Sequence, residues 1–161
     1  MNLEEIFTMQ KALDKKIANK ILEQDKENIE TKMAIALIVE LAEFANEIKT
    51  FKYWKIDKST DREKILEEFA DGIHFLTSMA YKTNLNSEIK LIFKSQDFNL
   101  QLAYTFKIFT KLLYKFNKRN IKKAYGLYLA LGKLANIEYE DIIQSYLKKN
   151  AKNYQRIEEN Y

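Results

Sequence analysis

The chain has 161 residues, with 27 Lys and Arg against 23 Asp and Glu, three Gly, one His, and no Pro or Cys. The missing Cys excludes disulfides, thiolate nucleophiles and Cys-ligated metals, and a single His excludes a site with two His ligands in one chain. So few Gly and Pro argue against a sandwich or barrel of many short strands. A composition 47% hydrophobic and 31% charged describes a globular chain long enough for one core, read as a single domain over 1–161.

No apolar run reaches the length of about 18 residues that a membrane span needs, and Glu4 and Glu5 come early. Neither a membrane span nor a secretory leader is expected, and the cytoplasm is the expected location. The net charge of +4 suits an anionic partner, either nucleic acid or a small polyanion. Lys and Arg gather over 107–156, whereas acidic residues cluster at 40–47 and 67–71.

Helical periodicity sets the elements in order. Leu3, Ile6, Phe7, Leu13, Ile17 and Ile21 predict a first helix over about Leu3–Leu22. A second, about Thr31–Lys49, is apolar nearly all round from Met33 to Ile48 and is expected at the centre of a bundle. Thr50–Ser59, with Phe51, Tyr53 and Trp54 among lysines, reads as a loop. Thr60 and Glu63 have the spacing of a capping box, which predicts a third helix from there to about Lys82. Thr83–Phe98 fits either a short helix or an extended piece. Further helices are predicted over about Leu100–Asn117, Ile121–Leu134 and Tyr139–Arg156. The fold class is all-α, a bundle of five or six helices.

The chemistry concentrates on the second and third helices. Glu40, Glu43 and Glu47 are three and four residues apart, so they share one face of an otherwise apolar helix. Crowded carboxylates repel one another, and burial raises that cost. Glu68 and Asp71, three apart, offer a matching pair on the third helix, with Phe75 and Ser78 continuing that face and Glu67 one step off it. Two antiparallel helices would bring Glu40, Glu43, Glu68 and Asp71 into one pocket. Oxygen ligands without His or Cys select Mg²⁺ or Mn²⁺ over zinc. Near the end of the chain, Lys149, Asn153 and Arg156 fall at i, i+4 and i+7, a cationic and amide-bearing stripe suited to phosphate oxygens. The alternative for both stripes is an ordinary solvated helix face.

These segments together resemble one family. Glu40-Leu-Ala-Glu43-Phe-Ala-Asn46-Glu47, Phe51-Lys52-Tyr53-Trp54-Lys55, Glu67-Glu68-Phe-Ala-Asp71-Gly72-Ile-His74-Phe75 and Lys149-Asn150-x-x-Asn153-x-x-Arg156 occur in the order found in the all-α, dimeric dUTPases. That family belongs to the MazG-like superfamily of nucleoside triphosphate pyrophosphatases. Gln10, in Met9-Gln10-Lys-Ala-Leu13-Asp14, resembles its N-terminal base-reading motif. The chain departs from the family where a Gly-Tyr closing loop is usual, having Asn160-Tyr161 instead.

The resemblance implies hydrolysis of dUTP, and of dUDP, to dUMP. It implies two or three Mg²⁺ ions, replaceable by Mn²⁺, on Glu40, Glu43, Glu68 and Asp71, with Glu43 or Glu40 acting on the attacking water. It implies a homodimer, which the many aromatic side chains also favour; no direct nucleic-acid binding is expected, since no basic helix carries regularly interleaved aromatics. Gln10 would read the uracil edge with its amide, or else hold a neighbouring backbone group. Phe75 would stack on the base or pack in the core. Trp54 would wall the sugar or base, or close the core. Lys55, beside it, is a phosphate candidate with Lys149, Asn153 and Arg156. His74 would reach the sugar or serve as a core residue. Two other readings are a MazG-type pyrophosphatase acting on a different nucleotide, and a helical binding protein without catalysis.

Overall fold

A computed structural model describes residues 1–159; the Asn160-Tyr161 end lies outside the described residues. Six α-helices form: α1 (Glu4–Ala18), α2 (Ile29–Ile48), α3 (Arg62–Lys82), α4 (Phe98–Leu112), α5 (Lys118–Leu134) and α6 (Tyr139–Glu158). A short 3₁₀ turn, Glu23–Asp25, separates α1 from α2. The all-α expectation holds, and the described residues contain one isolated antiparallel bridge, Asn2 to Glu88, and no strand. No described helix is long and apolar enough to cross a membrane.

Caps decide the boundaries that periodicity left loose. The third helix starts on Asp61 rather than Thr60, because the Asp61 carboxylate accepts the backbone N–H groups of Glu63 and Lys64. Asp97 caps α4 through the N–H of Leu100, and Asn117 caps α5 through that of Asn120. Asn117 therefore opens a helix instead of closing one, and α4 stops at Leu112. The first helix ends at Ala18, so Ile21 lies beyond it and Leu22 takes an extended conformation.

The central helix is α3, which packs against α1, α2, α5 and α6. The expectation that the nearly all-round apolar α2 sits at the centre of the bundle is met on one face only. Its Met33, Leu37, Leu41, Phe44 and Ala45 are buried, but Ile35 and Val39 are about half exposed and Ala42 is exposed. The apolar sequence of α2 serves two faces, of which the fold covers one.

Phe44 of α2 meets Phe69 of α3 at 5.2 Å between ring centroids, and Phe69 stacks on Tyr128 of α5 at 4.5 Å. Tyr128 donates its hydroxyl to the Phe69 carbonyl at 3.1 Å and lies where a side chain on Gly72 would have to be. These contacts fix the register of α2, α3 and α5.

The ambiguous stretch 83–98 runs without a helix until Phe98. Its backbone pairs with the N-terminus, Leu3 N–H to Ser87 O and Ile89 N–H to Met1 O, both 3.0 Å. Ile92 N–H then donates to Gly126 O at 2.8 Å, and buried Gln101 donates to Ile92 O and Leu127 O. Gly126 permits that approach, since a Cβ there would lie 2.5 Å from the Lys90 carbonyl oxygen. Gly126→Ala should therefore cost about 1–3 kcal/mol, as overpacking does. A urea titration followed by circular dichroism should show an earlier midpoint with native helicity retained.

Candidate functional site

Helical spacing and the α2–α3 register bring the expected carboxylates together. Glu40, Glu68 and Asp71 each offer an oxygen within 4.8 Å of the others. Glu43, on an exposed position of α2, lies within hydrogen-bonding reach of Glu40. Burial raises the Glu40 carboxyl to about 8, and the charges of Asp71, Glu43 and Glu68 push the same way. Burial also lifts Glu68 and Asp71 above the usual carboxylate range. The cluster thus carries more negative charge than its surroundings accommodate. A compact set of carboxylate oxygens fits a hard divalent cation.

One cation of the chain already reaches it. Lys149 Nζ lies 2.6 Å from Asp71 Oδ2 and 3.4 Å from Glu67 Oε1, and its side chain is only 11% exposed. Burial alone would lower the Lys149 ammonium, but its hydrogen bond to Asp71 and the charges of Asp71 and Glu67 raise it. Glu67 also accepts from Lys152 at 2.7 Å, and that bond holds its carboxyl below the usual range.

Glu40, Asp71, Lys149, Asn153 and Arg156 line one cavity of about 990 Å³ between α1, α2, α3 and α6. Its far end runs past Gln10, Asp14, His74, Phe75 and Ser78 to Ile17, Leu22 and Met33. One end is ionic and the other partly apolar, with room for a small, highly charged organic molecule.

Gln10 is buried, but not as a free amide. Its Oε1 accepts from Tyr146 Oη and faces His74 Nδ1, each at 2.7 Å, and its Nε2 donates to Asp14 Oδ1 at 2.7 Å. Asp14 also accepts from Ser78 and from Tyr81, the latter at 2.5 Å. A carboxylate on that side fixes the amide nitrogen toward Asp14 and the amide oxygen toward His74. Since that oxygen only accepts, His74 carries its proton on Nδ1. His74 Nε2 is buried with no hydrogen-bond partner. Burial, then the Lys149 charge, lower the His74 pKa to about 3, so the ring is neutral. It stacks on Tyr146 at 4.1 Å.

Of the expected residues, Glu43, Glu68, Trp54 and Lys55 are not part of this cavity's lining. Trp54 is 61% exposed on the loop after α2, packed edge-on against Phe51 and Tyr53, and Lys55 beside it is exposed. Trp54 does not close the core, because no described residue covers the loop's aromatic face. Conversely, Asp14, Tyr81 and Tyr146 were not visible as site residues in the sequence. Gln10 and Asp14 at i and i+4 on a largely apolar helix face were the available signal.

A family profile for dUTPase matches residues 2–161. The chain belongs to the dUTPase family. It is a hydrolase of the dUTP diphosphatase type, and nucleotide is its substrate class. No curated protein matches the chain in a sequence comparison.

Two outcomes check this candidate site without substrate. In chelator, ionising Glu40 among its neighbours opposes folding, because a raised folded-state pKa gives stability that is lost as pH rises from about 4.5 through about 8. Glu40→Gln should melt higher than the parent at pH 8, by about 2–4 °C if screening leaves roughly 1 kcal/mol, and the gain should shrink at pH 5. The lone His makes the ring directly observable: long-range ¹H–¹⁵N spectra should show a neutral Nδ1–H tautomer throughout pH 5–9. An Nε2–H tautomer would mean that the Gln10 amide points the other way.

Proposed function

We propose that the chain is a single-domain, Mg²⁺-dependent dUTPase that hydrolyses dUTP, and also dUDP, to dUMP. The observation carrying this reading is the meeting, in one cavity, of Glu40 and Asp71 of the carboxylate cluster with Lys149, Asn153 and Arg156. Phosphate oxygens need cations on more than one side, and this cavity sets Glu40 and Asp71 beside a cationic helix face.

Glu40, Glu43, Glu68 and Asp71 would hold two or three Mg²⁺ ions, or Mn²⁺ in their place, which offset phosphate charge and make a water easier to deprotonate. Glu43 is the exposed member, and it would take the proton of the attacking water while Glu40 holds it in position. Lys149, Asn153 and Arg156 present donors to the leaving phosphates. His74 and Phe75 line the nucleoside end, where the Phe75 ring offers a stacking face. Gln10 has one amide N–H left for a base carbonyl, because Nε2 gives its other hydrogen to Asp14 and the amide oxygen is already engaged twice. Trp54 and Lys55 would contribute only if the loop or another copy brought them to a cavity.

A homodimer is part of the proposal. Ile35, Val39 and Ala42 form an uncovered apolar stripe at i, i+4 and i+7 on α2, beside the carboxylate face. An uncovered stripe of this kind usually marks an interface, and two-fold pairing is the commonest solution. The cytoplasm is the proposed location.

Turnover of dUTP measured beside dCTP, dTTP and UTP, with and without chelator, tests the activity. Metal-dependent turnover should be fastest with dUTP, and Glu40→Ala or Asp71→Ala should lower kcat by at least about 10²-fold while helicity stays native. Turnover favouring another nucleotide would point to a broader pyrophosphatase. Sedimentation should give a mass near twice 19.2 kDa.

A further inference from the structure

We propose that Glu67 and Lys149 form a counter-ion relay: Lys149 neutralises Asp71 until a divalent cation arrives, and Glu67 then keeps the displaced ammonium paired. The inference rests on the metal reading above and assigns Glu67 a role outside the ligand set.

Glu67 and Asp71 are four residues apart on α3, so both face α6, where Lys149 lies between them. The ammonium is 2.6 Å from Asp71 and 3.4 Å from Glu67. Glu67 is not one of the three residues whose oxygens converge within 4.8 Å. It lines a neighbouring cavity of about 510 Å³ between α3 and α6, and Lys149 lines both cavities. The ammonium therefore stands in the wall between a site that would take a metal and a carboxylate that would not.

The arrangement has a physical consequence. An ammonium and a divalent cation compete for the same Asp71 carboxylate, since each cation raises the cost of holding the other. A mostly buried ammonium cannot simply be expelled, because an unpaired buried charge is strongly disfavoured. A second acceptor already within 3.4 Å removes that obstacle. Lys152, paired with Glu67 at 2.7 Å and about half exposed, can give up its place to solvent at little cost.

The experiment is a double-mutant cycle on Mn²⁺ affinity, read from the electron paramagnetic resonance of free Mn²⁺ with no nucleotide present. Thermal melts confirm that each variant is folded, and Lys149→Gln replaces Lys149→Met if the latter does not fold. Lys149→Met should tighten Mn²⁺ binding and Glu67→Met should weaken it, each by about five- to tenfold, as contacting charged residues couple. In the Lys149→Met background, Glu67→Met should change affinity less than about twofold. Equal weakening in both backgrounds would show Glu67 acting on the cation directly and would overturn the relay. Unchanged or weaker binding by Lys149→Met would make the pair a plain tie between α3 and α6, with the same result. Absence of Mn²⁺ binding to the parent protein would overturn the metal reading itself.

Discussion

Aromatic packing of Phe44, Phe69 and Tyr128 holds acidic side chains closer together than their charges favour. Two unit charges 4.8 Å apart repel by about 3 kcal/mol at an effective dielectric near 20. Fully burying one large apolar side chain contributes about 1.5–3 kcal/mol, and three such rings are buried between α2, α3 and α5. Packing and repulsion are therefore of comparable size. The balance is reached by reducing the charge: Glu40 keeps its proton to about 8, and Lys149 sits on Asp71. The same surplus of negative charge that costs stability is what suits the pocket to divalent cations.

The helix α6 links the two ends of the cavity. Tyr146 is fully buried and reaches Gln10 and His74 at the partly apolar end. One turn later, Lys149 reaches the acidic cluster, and Asn153 and Arg156 continue the same stripe along the cavity. A shift of α6 would disturb both ends together. By contrast, α4 and α5 contribute no lining residue to this cavity and act as scaffold. They brace α2 and α3 from behind through Phe98, Phe109 and Tyr128, whose rings all lie about 6 Å from a neighbour in the aromatic cluster.

The buried polar network around Gln10 is satisfied on almost every atom, with His74 Nε2 the exception there. Gln10, Asp14, Ser78, Tyr81 and Tyr146 each find a partner across helices. Such networks are costly when incomplete and rigid when complete. The residue expected to read a base directly thus also ties α1 to α3 and α6.

How much was legible in the sequence follows from the range over which each feature is determined. Helical period alone placed Glu40 with Glu43 and Glu68 with Asp71, because residues three apart share a face whatever surrounds them. The same local rule gave five or six helices, the Thr50–Ser59 loop and the Lys149, Asn153, Arg156 stripe. Family motifs added the chemistry. Tertiary structure decided what depends on distant partners. The Asp14–Gln10–His74–Tyr146 network joins residues up to 136 positions apart, and no local signal records such a meeting. Likewise, the apolar run of α2 told that the helix buries side chains but not against what, so its uncovered Ile35–Val39 face emerged only once α3 and α4 had taken the other side. The loop carrying Trp54 and Lys55 shows the converse: its motif was recognisable, but its place outside the cavity was set by the chain's path after α2. Sequence determined which side chains share a helix face, because that is fixed by backbone geometry. Only packing determined which faces meet, because that depends on the burial of all the helices at once.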